Sequence, residues 1–454
     1  MFATLAYRRS PRLLQEVMIS TRALGRACVR EGPAFRKILQ EIHATQYMSP
    51  AELARYQEKQ LDLLLNDALG SVAFYRSYRR IAEWRSGDEG VLARLASFPI
   101  LDKTAVRNAG SRIIRKSRGL TVRGSTSGTT GAPLTILQNF DAIRRENAFI
   151  WRQLQWAGFR AGQRRAWIRG DMIVPIGTSH PPFWRKNWSD RTLMLSSYHL
   201  SERSAPAYLS ALREFDPHII QAYPSSASFL ARHIANEGLA YGGRSLHAIV
   251  TSSESLSIEQ KNSIEAAFGV RVFDWYGQFE RVAAIGTCEK GSYHVLSDYS
   301  YVELVPAGDG RAEIIGTGFN NHVMPLIRYR TGDVVVLAAR NQACACGRAF
   351  PVVDRVIGRV DDVVRLPDGR HIGRLDHVFK GVSGVLEAQI RQDDVNCVQI
   401  IVVAANDDMS GTRSALLKNA RERLGDDIAI EVEFVGSIDR PASGGKFKNV
   451  ICNV

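Results

Sequence analysis

Between Arg164 and Gly277 the chain alternates between two kinds of stretch. Short apolar runs bounded by turn residues ("RRAWIRG", "RTLMLSSYHL", "HIIQAY", "LHAIVTSS", "VRVFDWYG") have the length and texture of buried strands. Between them, "APAYLSALREF" and "SASFLARHIANEG" place apolar residues at helical spacing. Strand–helix alternation of this kind predicts an α/β architecture. No run approaches the ~18 uninterrupted apolar residues of a membrane-spanning helix, so no transmembrane segment is expected.

The flanking regions differ. Residues 1 to about 120 read as helical, with "SPAELARYQEKQLDLLLNDAL" opening on a Ser-Pro start. "NFDAIRRENAFIWRQLQWAGF" predicts a further helix with Asp141 near its cap, ending before Gly158. From about 290 to 358 the pattern turns to alternating, hairpin-like sequence, read as a β-rich subdomain. Beyond it, "CVQIIVVAA", "SALLKNARERLG" and "IAIEVEFV" give strands around one helix. The expected organisation is a large α/β domain over 1–360 and a small α+β domain over 361–454, with the boundary near Asp361.

A net charge of +13 is spread along the chain, with no long polybasic arm. It favours anionic ligands, and no nucleic-acid-binding signature accompanies it. Six cysteines in 454 residues do not make a disulfide framework, so a reducing cytoplasm is expected. Residues 1–30 hold six arginines and one acid, Glu16. They read as an amphipathic surface helix, compatible with peripheral membrane contact, rather than as a transit peptide.

"STSGTTGAPL" (Ser125–Leu134) concentrates hydroxyls and glycines. Glycine lets backbone N–H groups turn toward an anion, and hydroxyls add donors. No Gly-Lys-Ser/Thr follows, and no G-x-G-x-x-G is present, so neither a Walker A loop nor a dinucleotide fingerprint fits. By composition alone, a flexible linker fits as well as a phosphate loop. The order of residues closely resembles the phosphate loop of the adenylate-forming superfamily, with Ser125, Thr126, Ser127, Gly128, Thr129, Thr130 and Gly131 as the ATP-contacting residues that the resemblance implies.

Further segments follow in that family's order. "DWYGQFE" resembles its aromatic-Gly-x-x-Glu motif, which implies Tyr276 and Gly277 against adenine and Glu280 as a catalytic carboxylate holding Mg²⁺. Phe279 stands where the family usually has Thr. "YRTGD" resembles the ribose motif, with Asp333 as acceptor, and "GRVDD" the hinge motif, with Arg359 near ribose and Asp361 as pivot of a mobile C-terminal lid. "RPASGGKFK" resembles the C-terminal lysine motif, with Lys446 as the catalytic ammonium and Lys448 as its competitor. "TSSES" (Ser253, Glu254) and "AYPSS" (Tyr223, Pro224) occupy positions of the substrate pocket. Trp151, Trp156, Phe183 and Trp184 fit either an aryl pocket or core packing. The nearest branch is the phenylacetate-CoA ligase and CapK-like group.

Cys288, His294, Cys344 and Cys346 supply three thiolates and one imidazole, a closed set suited to structural Zn²⁺, which members of the resembled branch also carry. "HVLSD" fits the H-x-x-x-D of some acyltransferases, but its histidine belongs to this set. No G-x-S-x-G elbow or H-E-x-x-H is present.

The resemblance implies ATP- and Mg²⁺-dependent activation of a carboxylate as an acyl-adenylate, then transfer, with coenzyme A as the favoured acceptor. The alternatives are an amide synthetase using an amine acceptor in surface-polysaccharide biosynthesis, and a non-catalytic binding module that keeps the fold. A homodimer is common in the resembled branch.

Overall fold

The computed structural model describes residues 4–78, 90–116, 119–125, 134–175, 177–339, 343–357, 364–372, 375–379, 382, 384–404, 409–436, 438 and 450–454. Helices α1 (Leu5–Arg9), α2 (Arg12–Arg30), α3 (Pro33–Thr45) and α4 (Pro50–Ser71) open the chain. The Ser-Pro start of α4 forms a capping box: Ser49 and Glu52 each satisfy the other's backbone N–H. A hairpin of β1 (Thr121–Ser125) and β2 (Thr135–Asn139) leads into the helix Phe140–Trp156. That helix is capped by the Asn139 side chain, which accepts from Ala142 N–H, and not by Asp141, which pairs with Arg145 one turn on.

The centre is one twelve-stranded sheet. Five strands run parallel, in the order β8 (Arg271–Gly277), β7 (Ala248–Ser252), β6 (Ile219–Ala222), β3 (Arg165–Arg169), β5 (Thr192–Ser196). β4 (Trp184–Asn187) lies antiparallel at one edge. Beyond β8 the sheet continues antiparallel through β9 (Ala284–Thr287), β10 (Tyr293–Val295), β14 (Val352–Val356), β13 (Tyr329–Leu337), β12 (Arg311–Gly318) and β11 (Ser300–Pro306). The β-rich region is therefore continuous with the parallel sheet and not a separate layer: β9 pairs directly with β8 through Trp275–Gly286 and Tyr276–Ile285. "YRTGD" begins β13. The N-terminal helices share a core with this sheet, where Leu61, Leu65, Tyr75 and Phe98 pack with Phe319, Leu326 and Tyr329.

β4 ends the sheet, and an edge strand presents unpaired backbone groups. Helix α2 caps it with side chains. The Glu16 carboxylate accepts from Lys186 N–H (3.0 Å), the Ser20 hydroxyl accepts from Trp188 N–H (3.0 Å), and Arg185 Nε donates to Gln15 Oε1 (2.6 Å). The face of α2 turned to the protein is consequently mostly polar, with Ile19 its one large buried apolar side chain.

The C-terminal segment forms a four-stranded sheet, ordered β19 (Ala429–Phe434), β18 (Cys397–Ala404), β17 (Val385–Asp394), β20 (Val450–Cys452). The helix Met409–Leu424 packs on it through Leu416 and Leu424. A short pair, β15 (Val364–Arg365) and β16 (His371–Ile372), precedes it. Tyr198 of the large body joins this core, and Arg370 Nη1 donates to the Tyr198 carbonyl at 3.1 Å.

Candidate active site

Among the parallel strands, chain order reverses between β3 and β6: β5 lies on one side, β7 and β8 on the other. Ligands of open α/β sheets sit outside the carboxyl ends of the strands at such a switch point. A cavity of 330 Å³ lies there, lined by residues that directly follow the strands: Gly170 after β3, Tyr198 after β5, Tyr223 after β6 and Glu254 after β7. Ile372 of the C-terminal segment closes part of it. Tyr198 OH donates to the Gly170 carbonyl (3.2 Å), and a Cβ at Gly170 would sit 3.0 Å from the Tyr223 hydroxyl oxygen, so glycine leaves room for the two phenols to converge. The Glu254 carboxylate accepts from Ser225 N–H (3.0 Å) in the first turn of the helix Pro224–Asn236.

Of the four residues expected at the substrate pocket, Tyr223 and Glu254 line the cavity. Pro224 is the first residue of its helix, and Ser253 has a left-handed backbone (φ 74°) beside the cavity. Arg232, on the same helix, lines it too. No local motif announced it. The tryptophans and Phe183 do not line it: Trp151 packs on Phe159, Trp156 lies under Arg348 near His294, and Phe183 stacks on His199. The rest of the lining mixes four serines with Leu200, Phe229 and Gln260.

The candidate nucleotide residues gather at the end of β8. Tyr276 OH donates to Asp333 Oδ2 (2.8 Å), and Gln278 Nε2 donates to the Tyr276 hydroxyl (3.2 Å). Asp333, buried on β13, has its own N–H bonded to Thr331 Oγ1 (3.0 Å). Two residues 57 apart in sequence thus form one rigid corner. Glu280 accepts from Tyr329 OH (3.3 Å), and Arg281 after it has φ 58°. The root of the glycine-rich loop meets the same corner. Gly124, beside Ser125 in β1, lies against the Phe279 ring so closely that a Cβ would overlap it, and Gln138 Nε2 donates to the Phe279 carbonyl (3.3 Å). The phenylalanine that replaces the expected threonine is therefore a packing surface for β1. Gly277 is in similar contact with Trp275. Thr126, Ser127, Gly128, Thr129, Thr130, Gly131, Arg359, Asp361, Lys446 and Lys448 lie outside the described residues.

The stretch from Cys288 to Cys346 carries a second cluster. Cys288, His294, Cys344 and Cys346 have their ligand atoms within 4.8 Å of one another. The β9–β10 hairpin brings in the first two, and the turn before β14 the others. Cys288 Sγ is 3.7 Å from Cys344 Sγ, and Cys346 Sγ is 3.3 Å from His294 Nε2. His294 Nδ1 faces the Phe350 carbonyl (3.1 Å), which fixes the tautomer that leaves Nε2 as the lone-pair donor. Burial works against the Cys344 thiolate, but hydrogen bonds headed by that of Ser292 outweigh it and bring the thiol down to about 6. Burial, the largest influence on Cys346, pushes its thiol up to about 11. Three sulfurs and one nitrogen, gathered with no open side, fit a tetrahedral structural zinc.

The match to known proteins follows this geometry. The CapK C-terminal domain family matches residues 366–453. Protein CapK of Staphylococcus aureus is 26% identical over 377 residues, covering 81% of this chain and 82% of that protein. Phenylacetate-coenzyme A ligase of Thermus thermophilus is 25% identical over 331 residues, covering 69% and 72%. These matches support a place for the chain in the adenylate-forming branch that holds CapK and the phenylacetate-CoA ligases. The fold agrees: 2-hydroxyisobutyryl-CoA ligase, solved with 2-HIB-AMP and CoA, superposes with a TM-score of 0.56 at 20% identity over 90% of this chain and 91% of that one. In this CapK-like chain, the body and the CapK C-terminal domain meet at Tyr198 and Arg370.

Proposed function

We propose that this CapK-like chain is an AMP-forming ligase: it joins a carboxylic acid to ATP as an acyl-adenylate and passes the acyl group to an acceptor. One observation carries the reading. The Tyr276–Asp333 corner, Glu280 and the root of the glycine-rich loop converge at the end of β8, beside a cavity at the ends of its parallel neighbours.

The carboxylate attacks the α-phosphorus and pyrophosphate leaves. Two anionic groups must meet, so catalysis depends on preorganised donors and cations at the phosphates. Ser125 to Gly131 supply N–H and hydroxyl donors to the β- and γ-phosphates. Tyr276 and Gly277 bound the adenine, and Asp333 and Arg359 the ribose. Glu280 would hold Mg²⁺, which supplies charge neutralisation on the phosphate oxygens. Lys446 brings an ammonium to the oxygen where charge shifts, and Asp361 is the pivot that brings it there and withdraws it. Cys288, His294, Cys344 and Cys346 would hold zinc, which supplies only a structural cross-link. Tyr223 and Glu254, with Pro224 and Ser253 behind them, shape the acyl site.

Coenzyme A is the leading acceptor, in line with the CoA ligases among the relatives. An amine acceptor is the second reading. It is favoured by Glu254, a carboxylate in a serine-rich cavity, which can receive an amine's proton.

Exchange of labelled pyrophosphate into ATP, measured across aryl, fatty, amino and sugar acids, tests the reading. At least one acid is expected to drive exchange, and Lys446→Ala to reduce it by roughly 10²–10³ while ATP still binds. Loss of exchange in Lys448→Ala with a normal Lys446→Ala would move the role to Lys448. Absence of exchange with every acid would leave the binding-module reading. Supplying CoA or amines afterwards separates thioester from amide products.

A further inference from the structure

Helix α2 is amphipathic the wrong way round for a surface helix. Its polar side chains Gln15, Glu16 and Ser20 are buried, because they cap the edge of the large sheet at β4. Ile19 is buried with them, but four large apolar side chains point to solvent: Leu13 is 69% exposed, Leu14 49%, Val17 45% and Leu24 56%. At 100° per residue, Leu13, Leu14, Val17, Thr21, Leu24 and Cys28 fall within an arc of about 100° that contains no charged residue. Leu5 of the preceding helix is 62% exposed as well. Folding has used the polar half of this helix and left the apolar half uncovered.

The charge around that stripe selects its occupant. Between Thr4 and Arg30 there are six arginines and one acid, Glu16, which is buried and bonded to Arg12 and the Lys186 N–H. Exposed Arg22 lies nearest the stripe on one side, whereas Arg26 leans toward the body beside Asp171 and Asp190. A second copy would bring its own Arg22 against this one, whereas an anionic lipid surface complements it. Apolar side chains entering the acyl boundary, with arginines at the level of the headgroups, is the arrangement of interfacial helices.

We propose that α2 docks this protein on an anionic membrane surface, lying in the plane of the interface with Leu13, Leu14, Val17 and Leu24 inserted and Arg22 on lipid phosphates. The reaction proposed above would then take place at the membrane face. The docking does not depend on that reaction, and its test does not measure it.

The test is sedimentation of the full-length protein with vesicles of phosphatidylglycerol and phosphatidylcholine, against vesicles of phosphatidylcholine alone. Binding is expected to the anionic vesicles, weakening several-fold or more as salt is raised. A triple variant, Leu13→Ser, Val17→Ser and Leu24→Ser, is expected to lower the partition constant by about 100-fold or more. Arg22→Gln should lower it by about fivefold on anionic vesicles only. The substituted side chains are solvent-exposed, so an unchanged melting profile should accompany both variants. Equal binding to both vesicle types, no binding at low salt, or binding indifferent to the triple variant would each overturn the proposal. So would a dimer in sedimentation equilibrium that the triple variant dissociates, because a second copy would then be the cover.

Discussion

Asp274 sits inside the sheet on β8, two residues before Tyr276, with Thr251 and Tyr293 hydroxyls donating to its two oxygens at 2.7 and 3.1 Å. Burial raises its pKa to about 6, against the partial relief of those hydrogen bonds. The folded state therefore holds this proton more tightly than the unfolded chain, whose aspartate titrates near 4. Linkage sets the sign: the stability associated with the proton is full below about pH 4 and is lost as pH rises through about 6. Comparing denaturant unfolding at pH 5 and pH 8, Asp274→Asn should lose less stability than the parent over that interval, by about 1–3 kcal/mol. An equal loss in both proteins would contradict the assignment. The residue scale also marks what sequence could tell. The spacing of "DWYGQFE" and "YRTGD" singled out Tyr276, Glu280 and Asp333, and two hydrogen bonds now tie each of these to a neighbour in the same corner. Asp298, the acid of "HVLSD", was legible only as a motif. In the structure it forms a buried pair with Arg152, the Thr45 hydroxyl donates to the same carboxylate, and the arginine lies 146 residues away. No local pattern encodes a partner at that distance. Arg232 escaped for the same reason: an arginine in an amphipathic helix looks like any solvated charge until the helix is placed against the strand ends.

At the scale of elements, the β9–β10 hairpin and the turn before β14 are held together by few backbone pairs, Tyr293–Val353 and His294–Val352. The thiol and imidazole cluster takes His294 from one of those pairs and its cysteines from the flanking turns, so a bound metal would act as a cross-link between the segments. Its removal should loosen this corner first. Zinc content near one equivalent is expected in protein purified without added metal, falling below about 0.2 in Cys346→Ser. That variant, or the parent after chelation, should also melt several degrees lower. Metal-free protein with an unchanged melt would remove the site. Cysteine and histidine identities made this cluster readable, because few other pairings explain three thiols and an imidazole near hairpins. The extent of the strands was less readable. "YRTGD" has the composition of a turn, yet it opens β13, with Gly332 at φ 69° taking the bend within the strand. The same holds for the Asn139 cap: Asp141 is the better-placed acid by composition, but backbone geometry puts the side-chain oxygen of Asn139 at the first free N–H groups.

Over the whole molecule, alternating strands and helices foretold the parallel half of the sheet, and periodicity foretold the antiparallel half, but neither foretold that the two are one sheet. Pairing of β8 with β9 depends on which edge is left open after the parallel strands assemble, and that is a property of the assembled layer. The mechanical result is a body in which the candidate nucleotide corner and the zinc-type cluster are built on one sheet. Native-state hydrogen exchange should therefore find β6, β7, β8, β9 and β10 opening together at one free energy. The C-terminal sheet, with its own core of Ile390, Ile400 and Leu416, should open separately. Two distinct openings on either side of the β8–β9 seam would show that the halves are independent. The seal that α2 places over β4 carries a consequence for assembly. The large sheet ends there in side-chain caps, and at the other end in β11, whose last residue is Pro306. Growth by strand addition needs two receptive borders per subunit, one to give and one to receive. A layer that can accept a neighbour along β11 alone can pair with one copy of itself and then has nowhere left to extend, so through this sheet the protein can form a closed couple but never a fibre.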